Sequence, residues 1–265
     1  MALRRTTKQK LYRYTVYAVL IAIAVWVAFS TDWSRLGQLF FNPEVATKML
    51  PGIITTALVN TLWFTAVAFA GGLLLGVILA LMKLSEIGPF RWIATVWIEL
   101  FRGLPALLTI FAIGFIVPIA LGVRAQELGG PVVLGLIGLV LVASAYMAET
   151  IRAGLQAVPK GQTEAARSLG MSPMKTTFWI VVPQGFRIII PPLTNEFVLL
   201  LKDTSLLFVV GTFIWSKELT TFARDASTQN ANGTPLIMAA ILYLIVTIPL
   251  TRFSAWLERR MARTR

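Results

Sequence analysis

Long apolar runs limit most strictly what this chain can fold into. The clearest are Tyr14–Phe29, Ile53–Met82 and Val132–Ala148. Runs of this length suit membrane-spanning helices, whereas a membrane β-barrel needs alternating segments of roughly ten residues. Of the whole chain, 57% is hydrophobic and only 14% is charged, whereas a soluble domain usually carries about 25% charged residues. The sequence therefore predicts an all-α, polytopic membrane protein.

The apolar pattern predicts six spans. They are Tyr14–Phe29, Ile53–Met82, Ala106–Leu121, Val132–Ala148, Leu193–Trp215 and Thr234–Leu250. The first run also fits a signal peptide, but no clear small-residue cleavage site follows it, so we favour an uncleaved helix. Residues 1–51 then form an accessory N-terminal part with an interfacial segment. Residues 52–257 form a transmembrane domain and residues 258–265 a basic tail.

Lysine and arginine are distributed unequally between the two sides of these spans. With the N-terminus inside, 18 of the 24 lie on the inner side, and Lys202 lies within a span. The outer side holds five: Arg35, Lys48, Arg124, Lys217 and Arg224. Because basic residues concentrate on the cytoplasmic side, we expect both termini to be cytoplasmic. The net charge of +12 is thereby explained by membrane orientation, and we expect no nucleic-acid partner.

The composition also excludes several kinds of chemistry. The chain has no cysteine and no histidine, which removes disulfides, thiol nucleophiles, the usual zinc sites and histidine acid–base catalysis. No GxxxxGK(S/T) pattern occurs, so the chain carries no P-loop. We therefore expect no cofactor on this chain; if ATP is used, another subunit binds it.

A polar stretch, Lys160–Pro183, interrupts the apolar sequence between the fourth and fifth spans. Gln162–Leu169 is predicted to form a short helix with Gly170 just past its end. Ser172 and Pro173 supply a cap and first-turn proline for a second short helix running toward Trp179. We call this helix–glycine–helix stretch the elbow. The charge distribution places it in a cytoplasmic loop of about residues 153–192, where a partner protein has access to it.

The spacing within the elbow resembles the EAA signature of the permease subunits of ATP-binding-cassette (ABC) importers. Glu164-Ala165-Ala166 is followed by three residues, Gly170, nine residues, Ile180 and then Val182-Pro183, where the family has Leu-Pro. Three further stretches resemble those of polar amino-acid permeases of the His/Glu/Gln/Arg type. They are ELFRGLP, with Leu104 in place of threonine, AYMAETIRAGLQAVPKGQTEAARSLG and VPQGFRIIIPPLTNEFVLLLKDTSL. The resemblance runs from about Gly52 to the last span.

This resemblance implies a MetI-like core of five helices, to which the first span is an extra N-terminal helix. It also implies a non-enzymatic importer subunit in the inner membrane of a prokaryote, carrying a polar amino acid similar to glutamate, glutamine, histidine or arginine. The implied partners are an ABC ATPase dimer that binds ATP and Mg, a second permease subunit (identical or similar), an extracytoplasmic amino-acid-binding protein and membrane lipid. The residues implied to dock on the ATPase are Gln162, Glu164, Ala165, Ala166, Leu169, Gly170 and Met171.

Polar residues inside the spans are candidates for the substrate pathway, because ionisable groups in lipid cost a few kcal/mol each and usually face the bundle interior. Lys202 and Asp203 point about 100° apart on a helix, so we expect Lys202 to meet a carboxylate elsewhere, with Glu149 as one candidate. Thr204 and Ser205 are expected to bond backbone carbonyls. Structural pairing and substrate contact both stay open for this set: Glu149, Lys202, Asp203, Thr204, Ser205 and Asn60. Glu196 is interpreted as architectural.

Other functions remain to be weighed against the ABC permease. An ion-coupled secondary transporter would favour more intramembrane acids and inverted repeats, and we find no internal repeat. An ABC permease for a solute other than an amino acid stays possible. An intramembrane enzyme is weakened by the lack of histidine, cysteine and a pair of acids on one span, and a scaffold would not need charges in lipid.

Overall fold

The computed structural model describes residues 5–211 and 213–262, and these residues form helices and connecting turns without β-strands. The α-helices are α1 (Arg5–Ser30), α2 (Trp33–Phe40), α3 (Pro43–Gly52), α4 (Val59–Leu84), α5 (Gly88–Gly103), α6 (Ala106–Phe111), α7 (Val117–Leu121), α8 (Pro131–Gln156), α9 (Lys160–Ser168), α10 (Pro173–Thr176), α11 (Val182–Asp203), α12 (Leu219–Asn230) and α13 (Thr234–Ala262). Segments of π-helix at Ile53–Leu58, Ala112–Ile116 and Thr177–Val181 join α3 to α4, α6 to α7 and α10 to α11. The all-α prediction is confirmed for the described part of the chain.

Among the described residues, four helical stretches are long and apolar enough to cross a membrane: Lys8–Ser30, Trp33–Leu84, Pro131–Gln156 and Thr234–Met261. The second of these, 52 residues long, is interrupted at Phe41 and Asn42; within it α4 has 26 residues, or about 39 Å of helix, enough to cross the roughly 30 Å of a bilayer's hydrocarbon core. Gly88–Gly103 and Ala106–Leu121 meet at 107° and add a fifth if the two are one broken span. The predicted third span is therefore half of a bent pair.

The fifth predicted span, Leu193–Trp215, has the wrong limits. Helix α11 begins at Val182, runs through Pro191 and Pro192, and ends at Asp203, where a 3-10 turn over Thr204–Val209 follows. The helix continues through the prolines because neighbouring residues of α11 pack closely against α8. A Cβ added to Gly185, for example, would lie 2.8 Å from Leu155. At the far end the Thr204 hydroxyl donates to the Leu201 carbonyl at 2.7 Å, which competes with helix hydrogen bonding.

Helices α4 and α8 form the centre of the bundle, and small residues let them approach closely. A Cβ on Gly72 would lie 2.7 Å from the Cβ of Ala143, and one on Gly76 would lie 3.0 Å from the Cβ of Met147. The Gly72/Gly76 pair therefore serves helix packing. The hydrophobic core around it includes Phe64, Ile98, Ile110, Leu139, Met147 and Leu207.

The accessory N-terminal part differs from the bundle in its burial. No residue in the apolar window of α1 is buried within the described part of the chain. The following helices, α2 and α3, cover the segment that the sequence predicts to be interfacial, and they are fastened to the start of α13. The Thr234 hydroxyl accepts from the Asn42 backbone N–H at 2.9 Å, the Leu39 carbonyl accepts from the Gly233 N–H at 2.7 Å, and the Gln38 carbonyl accepts from the Asn232 side chain at 2.8 Å.

Candidate functional site

The elbow has the local structure that its sequence predicts. Helix α9 covers Lys160–Ser168, and Gly170 follows with φ of +82°, a conformation that favours glycine. The hydroxyl of Ser172 then accepts from the Lys175 backbone N–H at 3.3 Å, with Pro173 in the first turn of α10. The second helix does not stop near Trp179 as expected, because α10 continues through π-helix into α11. The elbow is therefore rigidly joined to a long helix.

One face of the elbow presents apolar side chains outside the packed bundle. Leu169 is 86% exposed, and Met174, Phe178 and Trp179 are also exposed. Among the residues predicted to dock on an ATPase, Gln162, Glu164, Ala165 and Gly170 are exposed and Met171 is half-buried. Ala166 is buried against its own chain, so it supports the elbow from inside. Exposed apolar residues outside the apolar spans are typical of a protein contact surface.

The elbow is also tied to its surroundings by polar contacts. The Gln184 side-chain amide donates to the Gln162 side-chain oxygen at 3.4 Å and to the Ile180 carbonyl at 3.0 Å. Arg167 donates to the Met171 carbonyl at 2.6 Å across the glycine turn. The Gln184 contact connects α9 to the start of α11, and the Arg167 contact holds the turn that follows α9.

A cavity of about 220 Å³ lies between α8, α11 and the start of α6. Its polar lining groups are Tyr146, Glu196 and Asp203, among apolar side chains such as Leu104 and Val142. Glu196 and Asp203 are seven positions apart, which places them within about 20° of the same helix face. Both are half-buried. Asp203 was predicted for the pathway, whereas Glu196 was interpreted as architectural. No pair of acids on one span was predicted from the sequence, although the seven-residue spacing of Glu196 and Asp203 was a signal that could have shown it.

A positive charge stands beside this cavity. The guanidinium carbon of Arg102 lies 5.6 Å from the ring centre of Tyr146, which lines the cavity. Arg102 belongs to the ELFRGLP stretch at the 107° bend between α5 and α6. The cavity is therefore lined by two carboxylates, and the guanidinium of Arg102, itself exposed, lies against the Tyr146 ring of its wall.

Glu149 has partners other than the one expected for it. Its carboxylate lies 3.3 Å from the Nζ of Lys83 on α4 and accepts from the Nε of Arg152 at 3.0 Å. The other oxygen of the carboxylate accepts from a terminal nitrogen of Arg152. The predicted pairing of Lys202 with Glu149 is wrong, because Lys202 is exposed at the end of α11 while the end of α4 brings Lys83 to Glu149.

The remaining predicted pathway residues do not converge on the cavity. Asn60 donates to the carbonyls of Trp215 and Lys217 at 2.9 and 3.0 Å. Thr204 is buried and bonds the Leu201 carbonyl, as expected for it, and Ser205 is half-buried in the same 3-10 turn. Of the six candidates, Asp203 alone lies in the cavity lining.

A buried acid caps a helix in the segment between α11 and α13. Glu218 is fully buried and caps α12 by accepting from the backbone N–H groups of Thr220 at 2.5 Å and Thr221 at 2.7 Å. Burial raises the pKa of Glu218, and hydrogen bonds from Thr221 and Thr220 oppose the increase. Nearby, the Lys217 Nζ lies 2.7 Å from Asp225. These contacts indicate that Glu218 has a structural role as a helix cap.

Comparison with known families gives a match over most of the chain. A family model described as "Binding-protein-dependent transport system inner membrane component" matches residues 72–263. The matched range contains the elbow, the cavity and the Lys83–Glu149 contact, and it starts after the accessory N-terminal part.

Individual relatives agree with this match. The chain is 32% identical over 246 residues to the inner membrane amino-acid ABC transporter permease protein YhdY of Escherichia coli (strain K12), a match covering 92% of this chain and 63% of that longer relative. It is 36% identical over 207 residues to the probable glutamine ABC transporter permease protein GlnM of Bacillus subtilis (strain 168), covering 77% of this chain and 91% of the relative. A crystal structure of an amino acid ABC transporter with histidines superposes with a TM-score of 0.71 at 35% identity, covering 81% of this chain and 96% of that one.

Proposed function

Because this chain belongs to the family of inner membrane components of binding-protein-dependent transport systems, we propose that it forms the substrate path of an ABC importer for a polar amino acid. The resemblance noted in the sequence is confirmed at the level of the family, and ATP hydrolysis resides on a separate subunit. The observation that carries the substrate assignment is the cavity lined by Glu196 and Asp203, with Arg102 against the Tyr146 ring of its wall. Similarity to amino-acid permeases supports the same class.

The cavity suits a small zwitterion in both size and charge. Its volume of about 220 Å³ lies below the range of roughly 300–1,000 Å³ that holds drug-sized ligands. The carboxylates of Glu196 and Asp203 would attract the ammonium group of an amino acid, and Arg102 its carboxylate. Charge-assisted hydrogen bonds of this kind are about twice as strong as neutral ones, which selects polar zwitterions over uncharged solutes.

The elbow would serve as the contact with the ATPase. Its exposed residues Leu169, Glu164 and Ala165 form a compact surface, and Gly170 and Ser172 fix the turn that presents it. Closure of an ATP-bound ATPase dimer would displace α9, and α8 and α11, to which α9 is joined on either side, would move with it. The cavity then opens to one side of the membrane at a time, while a binding protein delivers the amino acid from outside and a second permease subunit completes the path.

The proposed topology has six spans with both termini in the cytoplasm. The four long apolar helices and the bent pair supply five, and α11 would be the sixth. Helix α11 is less apolar because it carries Arg187, Glu196, Lys202 and Asp203, and a helix that borders a polar cavity tolerates such residues. The uneven distribution of lysine and arginine supports this orientation.

Co-purification with an ATPase tests the proposal. We expect the full-length chain, produced with its ATPase and binding protein, to co-purify with the ATPase and to support ATP-dependent uptake of a radiolabelled mixture of L-glutamate, L-glutamine, L-histidine and L-arginine in proteoliposomes. Leu169→Asp should abolish co-purification, because it places a charge on the exposed contact surface. Ile87→Asp, at an exposed apolar residue in the turn before α5, is the matched control and should leave it unchanged. Uptake without ATP, or co-purification that survives Leu169→Asp, contradicts the proposal.

A further inference from the structure

A single carboxylate joins the ends of the two central helices. Glu149 on α8 lies between Lys83, in the last turn of α4, and Arg152, one turn further along α8. The three side chains are 21–25% exposed, so water screens their interaction less than it would at a free surface. Close contact between the helices at Gly76 lies two turns before Lys83, and the ion pair extends that contact to the helix ends.

This junction stands at the root of the elbow. Arg152 also donates to the side-chain oxygen of Gln156, the last residue of α8. Only Ala157, the buried Val158 and Pro159 separate Gln156 from the first residue of α9. A connection this short that contains proline has little conformational freedom. A force on α9 therefore reaches the end of α8 directly, and it reaches α4 through Glu149.

We propose that Glu149 is a positioning residue that fastens α4 to α8 at the root of the elbow, so that displacement of the elbow by the ATPase moves both helices as one unit. This inference rests on the proposed function. Glu149 is absent from the lining of the cavity, and its role is therefore mechanical. Without its carboxylate, Lys83 and Arg152 become two neighbouring like charges, which repel and drive the helix ends apart.

The test compares transport with ATP hydrolysis in the reconstituted complex. Lys83→Met is the main variant, because it breaks the link between helices and leaves Glu149 paired with Arg152 on α8. We expect ATP hydrolysis to continue while the number of amino acids taken up per ATP falls about fivefold or more, the lower range of typical coupling between sites. The charge exchange Lys83→Glu with Glu149→Lys keeps one acid and two bases in place and should restore the ratio. Uptake is measured with the mixture of four amino acids named above.

The pair Lys217–Asp225 provides the matched control. Its exposure, 16% and 31%, is similar and its distance is 2.7 Å, but it lies at the α11–α13 connection, away from the elbow. Asp225→Asn should leave the ratio unchanged. An unchanged ratio in Lys83→Met, or a failure of the charge exchange to restore it, overturns the inference. If the wild type shows no ATP-dependent uptake, the proposed function itself has failed.

A distance measurement tests the same inference without substrate. The chain contains no cysteine, so spin labels on Leu84→Cys and Ala153→Cys report only the ends of α4 and α8. In the complex with its ATPase, we expect one narrow distance distribution that ATP and Mg do not change. With Lys83→Met added, ATP and Mg should shift or broaden it. The proposed junction is contradicted if the distance distribution changes with ATP in the protein that retains Lys83, or if it does not change with ATP in the Lys83→Met variant.

Discussion

The side-chain amide of Asn60 donates a hydrogen bond of 3.0 Å to the backbone carbonyl of Lys217, across 157 positions of the chain. It donates a second, of 2.9 Å, to the carbonyl of Trp215. One amide thus holds the irregular segment between α11 and α12 against α4. Asn60 is therefore a structural residue of this fold, and its substitution should affect stability before it affects substrate choice.

Asn60→Ala tests this role. Two carbonyls lose their donor, and each unsatisfied group costs about 1–3 kcal/mol when it is shielded from water. We expect a lower melting temperature for the detergent-solubilised protein, with unchanged discrimination among the four amino acids in the uptake that remains. Gln229→Ala, at an exposed amide on α12, is the control and should melt like the wild type. A change in discrimination at wild-type stability would return Asn60 to the substrate path.

Close packing of α4 on α8 leads to a second prediction. A methyl group added by Gly76→Ala would meet the Met147 Cβ at 3.0 Å, the Ser144 carbonyl oxygen at 3.1 Å and the Ala148 nitrogen at 3.2 Å. Overpacking of this kind costs about 1–3 kcal/mol, and thermal unfolding should show it. Gly103→Ala, where a Cβ meets nothing within 4 Å, is the control and should not lower the melting temperature. Equal melting temperatures for both variants would disprove the tight contact.

The acidic lining of the cavity leads to a third prediction. Asp203→Asn and Glu196→Gln keep the shape of each side chain and remove its charge. A hydrogen bond to a charged group contributes about 1.5–3 kcal/mol of binding free energy, so we expect uptake at substrate concentrations well below saturation to fall about tenfold or more, while co-purification with the ATPase is retained. Glu258→Gln, at an exposed acid on α13, should transport normally. Full uptake by both cavity variants would mean that the substrate passes elsewhere.

Glu218 leads to a prediction about pH. Burial raises its pKa above the ordinary value of 4.5, so the folded protein favours the protonated form. The contribution of Glu218 to stability is complete below pH 4.5 and is lost as pH rises through the folded-state pKa. In Glu218→Gln, which keeps an acceptor oxygen and does not titrate, the melting temperature relative to wild type should rise between pH 4.5 and neutral pH.

The cap itself is tested by Glu218→Ala. This variant loses every hydrogen bond from Thr220 and Thr221, and the loss of a helix cap costs about 0.5–2 kcal/mol. We expect lower stability than Glu218→Gln throughout the pH range. A difference in melting temperature between wild type and Glu218→Gln that stays constant at all pH values would exclude a raised pKa of Glu218.

Local signals made the elbow and most helices predictable from sequence. Gly170 and Ser172-Pro173 define a turn through backbone conformation and capping alone, and neighbours elsewhere in the chain do not alter it. Contacts between distant parts of the chain were not predictable in the same way. Lys83 meets Glu149 because α4 packs along α8 over 66 positions of separation, and nothing near Glu149 in sequence distinguishes Lys83 from Lys202.

Two further differences between the sequence prediction and the structure concern α11. The fifth span was expected to begin at Leu193, after Pro191 and Pro192, but α11 begins at Val182 and continues through both prolines because it packs against α8 and α13. Glu196 and Asp203 lie on the same face of α11 because they are seven residues apart, a relationship that the sequence alone contains. The prolines show that tertiary packing overrides local preference in the part of the chain nearest the cavity.

The fastening of α2 and α3 to the start of α13 has a consequence for biosynthesis. The contact between Asn42 and Thr234 joins residues 192 positions apart. At a synthesis rate of about 5–20 residues per second, Thr234 is added to the chain roughly 10–40 s after Asn42. During that interval the accessory segment has none of these partners, and its apolar surface is available to insertion factors and chaperones. The hydrogen bonds that fasten α2 and α3 to α13 can therefore form only after the last helix has been synthesised.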